Sequence, residues 1–288
     1  MNRSIKEMLA PYVLVTSQDR KNAMKEVMQE IVLCGLSRAG FFDRGAFYGG
    51  TALRIFHGLD RFSEDMDFSL MVPDATFSLA DYFDVLQTEI RSYGLNMEIA
   101  LKEKTNESQI QSAFLKGDTL EHYLLFYPDN SDGISASEKV KIKLEIDVDP
   151  APCAGFERRY RLLPVPHEVC LYDKPSLFAG KVHAVLCRTW KNRVKGRDLY
   201  DYVFYLSHGV PVNLAHLRAK LVATGFIAEA EAERMGLGDI KHMLCERFGR
   251  IDFAAAKEDV LPFLDDASKI SLWSEAFFCS ITEGLVCE

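Results

Sequence analysis

The sequence predicts an α+β fold: a mixed sheet flanked by helices, followed by a helical C-terminal domain. Two observations carry this. Strictly alternating stretches at 64–71 and 139–149 read as strands and are interleaved with helical segments. After Pro175 the patterned segments have helical spacing. The change of character falls near residue 165, so domains are expected at 1–165 and 166–288.

A chain of 288 residues can bury a proper core in one large domain or two modest ones. Its 48% hydrophobic and 26% charged residues are those of an ordinary globular protein, which excludes the disordered class. There is no run of roughly eighteen apolar residues, so no membrane partner is expected. The start, MNRSIKEMLAPYVLV, carries charges where a signal peptide has its apolar stretch, which points to a cytoplasmic protein. The seven cysteines are odd in number and form no C-x-x-C pair. Reduced, mostly buried thiols are expected, rather than a zinc ribbon or a disulfide framework. The net charge of −8 argues against a general nucleic-acid coat, yet Ala154 to Arg197 holds ten Lys/Arg against three Asp/Glu. Such a stripe suits an anionic ligand, a triphosphate or an RNA end; a solvated basic face has the same composition.

In chain order, residues 18–38 place Met24, Val27, Met28, Ile31, Val32 and Leu36 near helical spacing behind Ser17 as N-cap. GAFYGG running into TALRIFHG reads as a strand end, a glycine turn and a new helix. Within 64–71, Met66, Phe68 and Leu70 point one way and Asp65, Asp67 and Ser69 the other. Residues 79–93 are expected to be helical, GLNMEIAL and LEHYLLFY (within 94–127) to be strands, and PDNSDGISASE to be a turn-rich loop. Within 139–149, Val140, Ile142, Leu144, Ile146 and Val148 form one face; Lys141, Lys143, Glu145, Asp147 and Asp149 form the other. Later helices are expected over 177–190, 198–207, 213–223, 239–248 and 254–264, with 268–287 closing the domain.

Chemistry concentrates in Gly49-Gly50-Thr51 and in Arg61-Phe62-Ser63-Glu64-Asp65-Met66-Asp67. Asp65 and Asp67, at i and i+2 on a strand, present both carboxylates on one face. That arrangement suits Mg²⁺, which prefers carboxylate and phosphate oxygens, as one ion or a pair. Gly49 and Gly50 let backbone approach a phosphate unobstructed. Thr51 sits at a helix start with its unpaired N–H groups, and Arg61 and Ser63 add a donor fork and a hydroxyl for the same phosphates. Each part alone has a plainer reading, a solvated strand face or an ordinary turn; the conjunction has little structural necessity. A third carboxylate from a neighbouring strand is needed to complete the metal ligands or act as base. Glu145 and Asp147 both qualify, and spacing does not choose between them.

A second constellation spans residues 174–201. Pro175 suits a first helical turn. Lys181 and Arg188, seven apart, lie on one helix face and can bracket a triphosphate, offsetting charge as pyrophosphate departs. A break at Lys195-Gly196 precedes a helix opening on Arg197-Asp198 with Asp201 behind; Asp198 can orient Lys181 or help ligate metal. The plainer reading is a surface helix in which Arg197 pairs with Asp201. His183 reads as a packed neighbour rather than an acid or base.

GGTALRIFHGLDRFSEDMDF, KIKLEID and LFAGKVHAVLCRTWKNRVKGRDLYDYV resemble the successive motifs of the AbiEii/AbiGii nucleotidyltransferase toxin family, over about Phe47 to Leu206. The resemblance implies a polymerase-β-like nucleotidyltransferase fold followed by helices that contribute Lys181 and Asp198 to the active-site cleft. It implies the toxin half of a toxin–antitoxin or phage-defence pair, with an antitoxin encoded alongside. It implies transfer of a nucleotide from an NTP to an RNA acceptor, the tRNA 3′ end, with Mg²⁺ or Mn²⁺. By position, Gly49, Gly50, Thr51, Arg61 and Ser63 would cradle the triphosphate with Lys181 and Arg188, and Asp65 and Asp67 would bind metal. Glu145 matches the second-motif acid; Lys181, Arg197, Asp198 and Asp201 match the third motif. Two competing expectations remain: transfer to a small molecule or a protein, and an inactive nucleotide- or partner-binding protein.

Overall fold

The computed structural model describes residues 2–102, 110–127, 139–189 and 194–288. The expected loop PDNSDGISASE, and residues 191 and 193 of the basic stretch, lie outside the described residues. The chain forms two units, each discontinuous in sequence. Unit 1 comprises Met1–Ala52, Ser63–Pro150 and Glu157–Leu171; unit 2 comprises Leu53–Phe62, Ala151–Phe156 and Tyr172–Glu288.

Unit 1 is built on the alternating stretches. Its elements run α1 (Arg3–Leu9), α2 (Ser17–Arg38), β1 (Gly45–Tyr48), the start of α3 (Gly49–His57), β2 (Met66–Leu70), α4 (Phe83–Ser92), β3 (Glu98–Leu101), β4 (Ile110–Asp118), α5 (Thr119–Phe126), β5 (Lys139–Asp147), β6 (Phe156–Arg161) and β7 (His167–Tyr172). Among the described residues the strands form one seven-stranded sheet in the order β3-β4-β5-β2-β1-β7-β6. β2 is antiparallel to β1 and parallel to β5, so the sheet is mixed. Met66, Phe68, Leu144 and Ile146 turn the same way and are buried, with α2 packed on β5 and α4 on α2. Burial of this apolar face supplies the drive for the layer.

Differences from expectation have local causes. Thr16, not Ser17, caps α2: its hydroxyl accepts from Asp19 N–H and the Asp19 carboxylate accepts from Thr16 N–H, a reciprocal box. LEHYLLFY is helix α5, not a strand. A short apolar run is ambiguous by periodicity, and the Asp118 carboxylate, accepting from Glu121 N–H at 3.1 Å, starts it as a helix. The sheet also continues past residue 165, because β7 pairs with β1 in parallel at Phe47 and Leu171. Two of the seven cysteines, Cys34 and Cys170, are buried; Cys153 is exposed and the others are half-buried, all of them unpaired.

Unit 2 holds α6 (Lys174–Cys187), α7 (Gly196–Ser207), α8 (Leu214–Ala223), α9 (Glu229–Ala232), α10 (Leu237–Phe248), α11 (Phe253–Val260) and α12 (Glu275–Thr282). Asp173 caps α6, accepting from Ser176 N–H, with Pro175 in the first turn. α6 packs on α7, α8 and α10, and α7 on α11 and α12, around Phe178, Tyr202, Tyr205, Phe248 and Phe278. Within 268–287, expected to close the domain, the α-helical part is α12. The segment 53–62 belongs to this unit, held by Phe62 N–H donating to the Phe263 carbonyl at 3.2 Å.

Candidate functional site

In unit 1 the sharpest feature is where Asp67 sits. It is the second residue of β2, with Tyr48 of β1 on one side and Glu145 of β5 on the other. Registered neighbours in a sheet share a face, so the Asp67 and Glu145 carboxylates project together, opposite the buried face. Asp147 pairs instead with Ser69, which is itself buried. Asp147 is half-buried, as Asp67 and Glu145 are; it is the register, not exposure, that sets Glu145 beside Asp67. Asp65 lies one residue before β2 and is exposed.

Gly49 follows Tyr48 directly, has φ +81°, and opens α3. A Cβ there would stand 2.4 Å from Asp67 Oδ2. Only a bare Cα lets the turn lie against that carboxylate while the chain takes a left-handed conformation. The Thr51 and Ser63 hydroxyls hydrogen-bond at 2.9 Å, and the Thr51 hydroxyl donates to the Asp65 carbonyl. Both residues are buried, so their hydroxyls tie the start of α3 to the approach of β2. They face each other rather than outward, which leaves the backbone of Gly49 and Gly50 as the part of this turn able to meet a phosphate.

Residues that sequence reasoning passed over complete this half. Gln29 of α2, buried, donates from Nε2 to the Ser63 and Glu64 carbonyls at 3.1 and 2.9 Å. Lys25 reaches Glu64 at 3.2 Å. Together they set the approach to Asp65. Lys143 Nζ lies 2.7 Å from Glu145 Oε2, a cation already at the carboxylate where a metal is expected. Gln29 stood out in the sequence only as a polar residue inside an apolar helical stripe.

Unit 2 carries a separate, buried ion cluster. Lys181 Nζ is 2.7 Å from Asp198 Oδ1 and 2.9 Å from Asp201 Oδ2. Arg61 grips both oxygens of Asp201 with one edge of its guanidinium, Nε and Nη2 each at 2.7 Å. Arg188 reaches the other oxygen of Asp198. Among the described residues Arg61, Lys181 and Arg188 pair with these two carboxylates and Lys195 also acts on Asp198, so cations outnumber anions. Burial alone would raise both carboxyls, but Arg61 and Lys181 at Asp201, and Lys181 and Arg188 at Asp198, hold them below their ordinary value. Burial would likewise lower the Lys181 ammonium, and the two aspartates raise it instead.

Three expectations change here. Arg188 is not on the α6 face beside Lys181; α6 ends at Cys187 and Arg188 is its extended cap residue. It meets Lys181 only because both reach Asp198. Arg197 does not pair with Asp201, which is occupied by Arg61 and Lys181; its guanidinium lies over the Phe263 ring at 4.4 Å. Arg61, expected among the phosphate ligands, is 3% exposed with its fork committed to Asp201. Gly196 opens α7 where a Cβ would meet the Ala256 carbonyl, which explains the break before Arg197.

A glycine turn against an aspartate of a central strand, with an acid registered beside it, suits nucleotidyl transfer. The comparisons identify the branch of that class. The chain belongs to the AbiEii family: the profile described as nucleotidyl transferase AbiEii toxin, type IV toxin–antitoxin system, matches residues 31–277. It is a nucleotidyltransferase enzyme of a toxin family whose members work with an NTP and a divalent metal, and whose system includes an antitoxin. Similar solved structures include JHP933 from Helicobacter pylori, 17% identical over 91% of this chain and 90% of that one, TM-score 0.48. The nucleotidyltransferase toxin MenT4 from Mycobacterium tuberculosis is 16% identical over 96% of this chain and 93% of that one, also TM-score 0.48. No curated protein matches. Among the described residues no helix is long and apolar enough to cross a membrane.

Proposed function

We propose that this enzyme transfers a nucleotide from an NTP to the 3′ end of an RNA, the tRNA acceptor end, with Mg²⁺ held by the Asp67 and Glu145 carboxylates together with the NTP phosphates. The observation that carries the reading is the registered pair Asp67–Glu145 beside the bare Cα of Gly49. The donor set fits the metal. Among the described residues no three His, Cys, Asp or Glu are grouped to hold an ion by themselves, but Mg²⁺ is commonly held by one or two carboxylates together with substrate phosphates. The bound cation would polarise the phosphates and favour the hydroxyl as nucleophile. Glu145 is preferred to Asp147 as the partner carboxylate, because the register puts it beside Asp67. The protein's own residues do the remaining work. The α3 start offers N–H groups to the triphosphate, Gln29 and Thr51 set the Asp65 backbone, and Lys143 balances Glu145 until a cation arrives.

Lys181, Arg188 and Asp198 act on the phosphates in this proposal, with Asp201 and Arg61 as the buried support that holds Lys181 in place and Arg197 alongside. The excess of cations in this cluster, with Arg188 half-exposed, suits an anionic ligand. The protein acts in the cytoplasm, and its antitoxin is encoded next to it.

The test is to incubate the protein with labelled NTPs, Mg²⁺ and total cellular RNA, protein and metabolites, and to ask which fraction carries label. Label at RNA 3′ ends, abolished by a chelator, is expected. Label on a small molecule or a protein alone would replace the acceptor, and NTP binding without transfer would make the chain a binding protein.

A further inference from the structure

The sheet face that carries Asp67 and Glu145 continues along β5 and β4 into a group of cations around an aromatic ring. The antiparallel register sets Ser112 beside Glu145, Phe114 beside Lys143, and Lys116 beside Lys141. Alternate residues of the same strands, Ala113, Leu115, Val140 and Ile142, are buried on the other face. Lys116 and Lys141 are exposed, and Phe114 and Lys143 half-buried. Lys141 Nζ stands 3.6 Å from the centre of the Phe114 ring and Lys116 Nζ 5.3 Å. On the β3 side, Phe114 is registered with Ala100, too small to cover the ring. The counter-charges are Glu98 beside Lys116, Asp118 paired with Lys139 at 3.1 Å, and Glu145 with Lys143.

We propose that this β4–β5 face is the acceptor track: it holds the single-stranded 3′ segment of the RNA, a base on Phe114 and phosphates on Lys116 and Lys141. The inference rests on the reading that the acceptor is RNA, and it names where that RNA lies. A ring needed only for packing belongs on the covered face, with Leu115. One displayed between two lysines has the composition of a single-strand site, where stacking tolerates any base and cations follow the backbone. A cation over an exposed ring is held weakly, so both ammonium groups can leave Phe114 for phosphates while a base takes the ring. From Glu145 to Lys141 is four residues of strand, about 14 Å. The track therefore ends at the carboxylate pair, where a 3′ hydroxyl has to arrive.

The experiment uses the full chain and three variants: Phe114→Ala, Phe114→Tyr, and Lys116→Gln/Lys141→Gln. A short fluorescent oligoadenylate with a free 3′ hydroxyl reports binding by anisotropy, and labelled-NTP transfer to total tRNA reports KM and kcat. Phe114→Ala is expected to weaken oligoadenylate binding about tenfold, with Phe114→Tyr close to the parent. The double lysine variant is expected to reduce the slope of log affinity against log salt by about 1.4. KM for RNA rises while kcat at saturating RNA and ATP affinity stay unchanged. Unchanged oligoadenylate affinity and KM in the variants, with the parent labelling RNA, overturns the track alone. A parent that labels no RNA overturns the acceptor reading and the track with it. Variants that keep RNA binding but escape the antitoxin would make the face a protein-docking surface and also overturn the proposal.

Discussion

Replacing Gly49 by alanine tests the site at its tightest point, and Gly58→Ala is its built-in control. Gly49 and Gly58 have nearly the same backbone, φ +81° and +79°. A residue with a Cβ in that left-handed region costs about 1–2 kcal/mol. By the usual scaling this lowers Tm by about 2–8 °C for either variant. The surroundings differ. At Gly58 a Cβ meets nothing within 4 Å, whereas at Gly49 it would lie 2.4 Å from Asp67 Oδ2 and 3.1 Å from Asp67 Cβ. Normal carbon contacts are about 3.5 Å, so the Asp67 carboxylate has to retreat by about 1 Å. A displacement of that size at a reacting centre costs about a hundredfold in rate. Single-turnover transfer and thermal unfolding, measured on both variants, separate the two effects. The expected result is a similar loss of stability in each and a loss of transfer only in Gly49→Ala. Transfer within about threefold of the parent in a folded Gly49→Ala protein would show that Asp67 is not held by this contact, and the site described here would be wrong.

Arg61→Met leaves Asp201, fully buried, with Lys181 as its remaining cation, and is expected to cost about 3–5 kcal/mol, lowering Tm by about 6–20 °C; a near-parental Tm would contradict the buried-pair account. Glu145→Gln is expected to reduce transfer more than the ~10- to 100-fold typical of an outer-shell partner, and Asp147→Asn about tenfold or less. The opposite ranking would overturn the choice of Glu145. His216 is buried, with Nδ1 donating to the Pro152 carbonyl at 2.8 Å and Nε2 without a partner among the described residues. Burial first, then nearby Lys220, pushes its pKa from 6.5 to about 4. The unfolded chain takes up the proton first, so this contribution is present above about pH 6.5 and is lost as pH falls towards 4, about 3 kcal/mol in all. Denaturant unfolding across that range should show stability falling with pH, less steeply in His216→Gln; an unchanged slope in the variant would remove His216 as the cause.

Local patterning made much of the fold legible. Alternation at Met66–Asp67–Phe68 and along Val140–Ile146 specifies two strands, because a half-buried strand must place apolar side chains two residues apart. Pro175 and the caps around it specify where α6 begins, since a helix start is settled by its own first turn. The glycine turn and the D-x-D pair also announced themselves, as their chemistry is written in adjacent residues. What the sequence left open were matters of register and of long-range pairing. Glu145 and Asp147 are equivalent by alternation, and only the β2–β5 pairing puts the first beside Asp67. Arg61 looks like a phosphate ligand until Asp201, 140 residues away, takes the Nε–Nη2 edge of its guanidinium. LEHYLLFY is apolar enough for either element, and the Asp118 carboxylate decides in favour of a helix. Propensity and periodicity act over a few residues, so the sequence alone determined which residue types were supplied; which carboxylate meets which cation was decided by packing between segments far apart in the chain.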